Sequence, residues 1–189
     1  MSNALAVNIY DYVRLMGSDI SEATKVAEKK VSDPWITYMN VLSAFGFRNW
    51  INDLEGNLSI NFENSPVFDL SSLKTNATEI IVSGGLSETP FKVSVLYKEF
   101  GLYDESLVGL NEEFVTNPHH FYVLMDVIEV GEGSISKPIA FLRHDQEVNN
   151  LSAYKQDNEY LIPFDIFNKE LIELSSYLQC FDADRILLV

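Results

Sequence analysis

The three histidines are the side chains best suited to chemistry, and their spacing limits what that chemistry can be. His119 and His120 are adjacent in HHFYVLMDVIEV, a stretch with strand composition. Neighbours on a strand point to opposite faces, so these two do not share an ion. His144 ends a second apolar run. If the intervening turn has Glu132 at its apex, antiparallel pairing sets His120 directly opposite His144. Cross-strand β-carbons lie about 4.5–5.5 Å apart, close enough for a shared metal ion. Such a site needs a third ligand, however, and Asp145 faces the other way while Asp126 is several residues distant. Polar histidines at a strand edge are the plainer reading, and no metal is expected.

Other chemistry has less to stand on. Cys180, the single cysteine, sits beside Phe181 at a helix end and reads as a buried or half-buried thiol with no placeable activating group. It cannot form an internal disulfide, which points to a reducing cytoplasm. No nucleophile elbow occurs. Ser83-Gly84-Gly85 and the glycines around Glu132 are too few, and too poorly followed by helix, to cradle phosphate. Carboxylate pairs such as Glu112-Glu113 are what 28 acids produce by chance. No catalytic residue and no cofactor are assigned.

The elements that would position these groups change period once. Ser21 to Lys30 has the spacing of a short amphipathic helix with Ala23, Val26 and Ala27 inward, while Val7 to Met16 is ambiguous between strand and helix. Asp33 to Gly56 forms the clearest element, with Asp33 as cap, Pro34 in the first turn and Gly56 as terminator. Trp35, Tyr38, Met39, Leu42, Phe45 and Trp50 gather on one side of it, and Phe47, Ile51 and Leu54 widen the arc. Thr37, Arg48, Asn52 and Glu55 remain as a polar strip. An arc this wide is enclosed on more than one side, which makes the tryptophans core residues rather than a binding platform.

After Gly56 the pattern is β. Asn57 to Phe62, Glu79 to Val82 and Phe91 to Tyr97 read as strands, the last two as a hairpin turning at Ser83-Gly84-Gly85. Leu107 to Leu110 is a short strand in an acidic, loop-rich piece. His119 to Val130 is the strongest strand, covered on both faces at Phe121 to Met125, with Lys137 to Arg143 as its partner and Pro138 near that strand's beginning. Residues 145–159 read as a polar connector. A helix at Lys169 to Gln179 follows, and the closing Ile186-Leu187-Leu188-Val189 reads as docked. The fold class is α+β: amino-terminal helices packed on a mainly antiparallel β-sheet, with a carboxy-terminal helix. Residues 1–189 form a single domain, helical and near-neutral over 1–56, acidic and mainly β over 57–189. There is no repeat.

Charge is the second feature that discriminates between functions. The net charge is −15, yet residues 1–50 balance five acids against five bases, so all the excess lies beyond them. A phosphate backbone is bound by a basic face, so direct nucleic-acid binding is disfavoured. No apolar run approaches the ~20 residues of a membrane span, and the start lacks the basic region of a secretory signal.

The helix run Tyr38-Met39-Asn40-Val41-Leu42-Ser43, followed by Trp50-Ile51, resembles the helix of a widespread cyanobacterial family of uncharacterised proteins marked by a Tyr-x-Asn-x-Leu-Ala pattern ending near Trp-Leu. Asn64 to Tyr97 is similar to that family's hairpin region, His119 to Phe141 to its strand pair, and Leu161-Ile162-Pro163 to Leu178 to its late helix. Ser43 departs from the usual alanine. The family has no established activity, and its genes often lie near sigma-factor or signalling genes, so the resemblance implies a regulatory or adaptor role.

Together these readings give a non-enzymatic protein-interaction or regulatory module, an adaptor or inhibitor. It would dock a basic protein partner through the acidic half, at Tyr103, Asp104, Glu105, Glu112 and Glu113. An acidic mimic of nucleic acid is the alternative, and it requires carboxylates in a ribbon at phosphate spacing. A small metal-binding or enzymatic domain around His120 and His144 is the third.

Overall fold

A computed structural model describes residues 12–30, 33–54, 57–62, 65, 67–68, 78–98, 107–111, 119–131, 133–144, 153–157, 159–181 and 183. Within them the fold is α+β. Six strands, β1 (Val13–Leu15), β2 (Ser59–Asn61), β3 (Thr78–Gly84), β4 (Ser87–Tyr97), β6 (Phe121–Val130) and β7 (Gly133–Arg143), form one sheet in the order β1-β7-β6-β4-β3-β2. Every pairing is antiparallel except β4 with β6. A small second sheet, β5-β9-β8, joins β5 (Leu107–Asn111), β9 (Glu159–Pro163) and β8 (Lys155–Gln156). Helices α1 (Gly17–Lys29), α2 (Pro34–Asp53) and α3 (Leu171–Cys180), with a short 3-10 helix at Phe164–Ile166, complete the described elements.

Three layers follow from the alternation of β6. Phe121, Val123 and Met125 point towards the helices, where Ala44, Phe47 and Ile51 of α2 and Leu174 and Leu178 of α3 meet them. Tyr122 and Leu124 point the other way, against Val108, Leu110 and Ile162 of the small sheet. A strand covered on both faces loses the polar half of its alternation, which is why Phe121 to Met125 reads as unbroken apolar sequence. A third cluster packs Met39, Leu42 and Phe45 of α2 against Leu15, Ala23 and Val26.

The long helix starts as its sequence requires. The Asp33 carboxylate accepts hydrogen bonds from the N–H groups of Trp35 (2.9 Å) and Ile36 (3.2 Å), satisfying donors that have no partner within the helix. It ends at Asp53 with Leu54 as cap, and Gly56 lies outside the described residues. Thr37, expected on the polar strip, is buried. The first tryptophan also departs from expectation: Trp35 is 46 % exposed. It sits in the first turn, ahead of Thr37, where the buried residues of the helix begin. Trp50 is half-buried and stacked on Phe47.

Helix α1 begins a turn earlier than Ser21, because the Asp19 side chain accepts from the Met16 N–H (3.0 Å) and caps the helix there. The ambiguous amino-terminal stretch yields strand β1, while residues 1–11 and the Ile186 to Val189 segment are outside the described residues. Strand β9 and the short β8 occupy part of the expected connector and of the approach to α3.

Pairing of β6 with β7 corrects the expected turn. Val130 pairs with Gly133 across a two-residue connection with Gly131 at φ 61°, one residue tighter than an apex at Glu132. A bulge then shifts the register between Leu124 and Met125, whose partners are Ala140 and Pro138, leaving Ile139 as the extra residue. Pro138 thus lies well inside β7, beside a bulge that tolerates its missing N–H.

Candidate functional site

All three histidines meet at the end of the main sheet where β6 begins and β7 ends. The bulge restores there the register expected from the sequence, and the His144 N–H donates to the His120 carbonyl (3.1 Å). His119 and His120 lie ahead of β6 rather than within it, and at 3 % exposure each they are not solvated edge residues.

Each ring has an assigned task. His119 Nε2 lies 2.9 Å from a Glu79 carboxylate oxygen on β3. His120 Nδ1 accepts from the Lys92 N–H (2.8 Å), and its own N–H donates to the Lys92 carbonyl (2.8 Å). It therefore continues the β4–β6 ladder by one position. The neutral ring consequently carries its proton on Nε2, and its edge rests on Phe91. His144 Nδ1 lies 3.5 Å from the Tyr122 hydroxyl, which is also 3.5 Å from the His119 N–H. Burial pushes the Tyr122 phenol up to about 12, against a smaller lowering by the His119 backbone.

These bonds tie the entry of β6 to β3, β4 and β7. Ser94, fully buried, separates Glu79 from Tyr122 in the strand register, and its hydroxyl has no hydrogen-bond partner among the described residues. Among those residues no group of three or more His, Cys, Asp or Glu side chains could hold a metal ion. Asp126 accepts instead from the Tyr12 hydroxyl, and Asp145 lies outside the described residues. Cys180 is exposed, not half-buried as its apolar neighbour suggested.

Half of the acids, but only Lys74 and Arg185 among the bases, fall outside the described residues. The five partner-binding candidates, Tyr103, Asp104, Glu105, Glu112 and Glu113, are among those outside. Their segments, 99–106 and 112–118, flank β5, and the second runs directly into His119.

Within the described part, cations are drawn against the protein's own rings and carbonyls. Arg48 lies over Phe45, Lys137 over Tyr12, Arg143 over Tyr177, Lys155 over Tyr160 and Lys169 over Phe164, at 4.5–5.9 Å from the ring centroids. Lys98 is buried and donates to the Leu107 carbonyl (2.9 Å). Among the described residues beyond position 50, Lys92 is the exposed cation with neither a ring nor a carbonyl partner. The acids are treated differently: Asp53, Glu88, Asp157, Asp165 and Glu170 are exposed and make no ion pair among the described residues. They are spread over several elements.

Sequence reasoning missed the Glu79–His119 pair, which joins positions 40 residues apart and has no local signature. It also set aside Trp35, whose place in the first turn was the one signal of exposure.

Comparison of the chain with protein-family models, with curated proteins and with solved structures returned no match. No helix among the described residues is long and apolar enough to cross a membrane.

Proposed function

We propose that this protein is a non-enzymatic interaction module, an adaptor or inhibitor that docks a basic protein partner through its acidic surface. The observation that carries the reading is the separation of charge: Asp53, Glu88, Asp157, Asp165 and Glu170 face solvent with no ion pair among the described residues, while Lys137 and Lys169 lie over rings and Lys98 is buried. A cation fixed against its own ring has little reach to neutralise a distant carboxylate. The acidic field is left to act on other molecules, steering a basic partner and setting its orientation.

The segments with Asp104, Glu105, Glu112 and Glu113, acidic in sequence and adjoining β5 along the chain, are the proposed contact. The resemblance of the Tyr38 to Ser43 helix to a family encoded near signalling genes supports a regulatory setting. The buried histidine cluster serves this reading as the fastening of the sheet end from which the 112–118 segment departs.

The test compares the wild type with the fourfold variant Asp104→Asn, Glu105→Gln, Glu112→Gln, Glu113→Gln on an immobilised basic protein such as histone H1, across 50–500 mM salt. The expected result is wild-type binding that weakens steeply with salt and is reduced in the variant. Equal retention of both proteins, insensitive to salt, overturns the proposal.

A further inference from the structure

The exposed tryptophan does not stand alone. Trp35 and Tyr38 face each other with ring centroids 5.9 Å apart at 32°, and they wall a groove of about 420 Å³ between α1 and α2. Thr24, Ala27 and Glu28 of α1 form the opposite wall, with Pro34 and Lys30 closing the turn between the helices. Glu28 is exposed on this rim, and Asp33 adjoins Trp35 as the cap of α2. Burial, and then the nearby Glu129 carboxylate of β6, raise the Tyr38 phenol above its ordinary value. Lys30, the cation of the groove, is buried. Glu28 is therefore the solvent-exposed charge in the lining of the groove, with exposed Asp33 beside it, while exposed Lys25 of α1 is paired with Glu22 (3.6 Å).

Two aromatic faces with carboxylates at their edge make a chemically specific combination. The ring quadrupole attracts a cation, and a planar guanidinium also stacks on the ring while its N–H groups reach the carboxylates. A neutral apolar occupant would leave the carboxylates unused, and an acidic one would be repelled. An exposed tryptophan and a half-buried tyrosine beside a groove are also among the residue types that supply most binding energy at interfaces.

We infer that the Trp35–Tyr38 groove is a subsite for an arginine or lysine side chain of a basic protein segment. This rests on the reading above and extends it. The acidic β half supplies long-range attraction, and the helical half supplies a short-range anchor that salt screens less.

The experiment measures fluorescence anisotropy of labelled deca-arginine and deca-lysine with the full chain at 150 mM salt. The wild type and the variants Trp35→Ala, Trp35→Phe and Glu28→Gln are compared, with circular dichroism to verify that each is folded. Loss of the ring in Trp35→Ala is expected to weaken deca-arginine binding by about 3- to 30-fold, with Trp35→Phe between it and the wild type. Glu28→Gln weakens binding less, and tryptophan emission shifts on peptide addition in the wild type but not in Trp35→Phe. If folded Trp35→Ala binds deca-arginine within twofold of wild type, the groove assignment is overturned while the basic-partner reading stands. If the wild type binds neither peptide, both fall.

Discussion

Replacing Gly46 by alanine sets two opposing effects against each other at one position. Gly46 lies in the middle of α2, where alanine favours helix by about 1 kcal/mol over glycine. On the sequence alone the substitution is therefore stabilising. In the structure a β-carbon at this position would meet Ser136 Oγ at 2.3 Å and Ser136 Cβ at 2.5 Å, with the Met125 methyl at 3.4 Å. Ser136 has no easy retreat, because its Cβ belongs to strand β7 and its hydroxyl donates to the Asp126 carbonyl (2.9 Å). Overpacking of a close-packed core costs about 1–3 kcal/mol, and contacts this short belong at the upper end. The net expectation is a loss of about 1–2 kcal/mol. For a chain of this size that lowers the melting temperature by roughly 2–8 °C. Thermal and urea melts of Gly46→Ala, Ser136→Gly and the double variant test it. The double variant should recover part of the loss, since it removes both close contacts. A single variant that melts at or above the wild-type temperature refutes the packing of α2 on β7.

Three further outcomes follow from local features. Asp33→Ala removes the acceptor for the Trp35 and Ile36 N–H groups and should cost about 0.5–2 kcal/mol in a denaturant melt. Tyr122, held up to about 12, stabilises the fold fully below the ordinary tyrosine value near 10 and loses that contribution as pH rises from about 10 to 12. Tyr122→Phe should flatten that alkaline limb, worth about 2–3 kcal/mol in the wild type, when stability is followed by urea melts. Cys180 is exposed, so one thiol should react with a chromogenic disulfide reagent in the native state as fast as after unfolding; a long native lag would contradict its placement.

The elements that were legible in the sequence are those whose signal is local. Asp33-Pro34 marks the start of α2 because capping needs only neighbouring atoms, and Phe121 to Met125 marks a doubly covered strand because burial on both faces removes alternation. What depended on distant partners was harder. The facing of His120 and His144 emerged from two one-residue differences that cancel, a tighter turn at Gly131 and a bulge at Ile139. Strand β9 was hidden because Glu159 to Pro163 carries a terminal proline and pairs with β5 across 48–56 positions. Trp35 was read as core from its spacing, which gives the face of a helix but not where along it burial begins. The proposed acidic contact was readable as charge alone, since its residues carry no packing pattern.

The claim that this surface docks a basic partner is tested most directly by retention from a native lysate on the immobilised full chain, with stepwise salt elution and mass-spectrometric identification. Retained proteins are expected to be enriched in basic species that elute between about 0.1 and 0.5 M salt, where exposed charges become screened. Retained proteins no more basic than the lysate, or held equally at low and high salt, would contradict it.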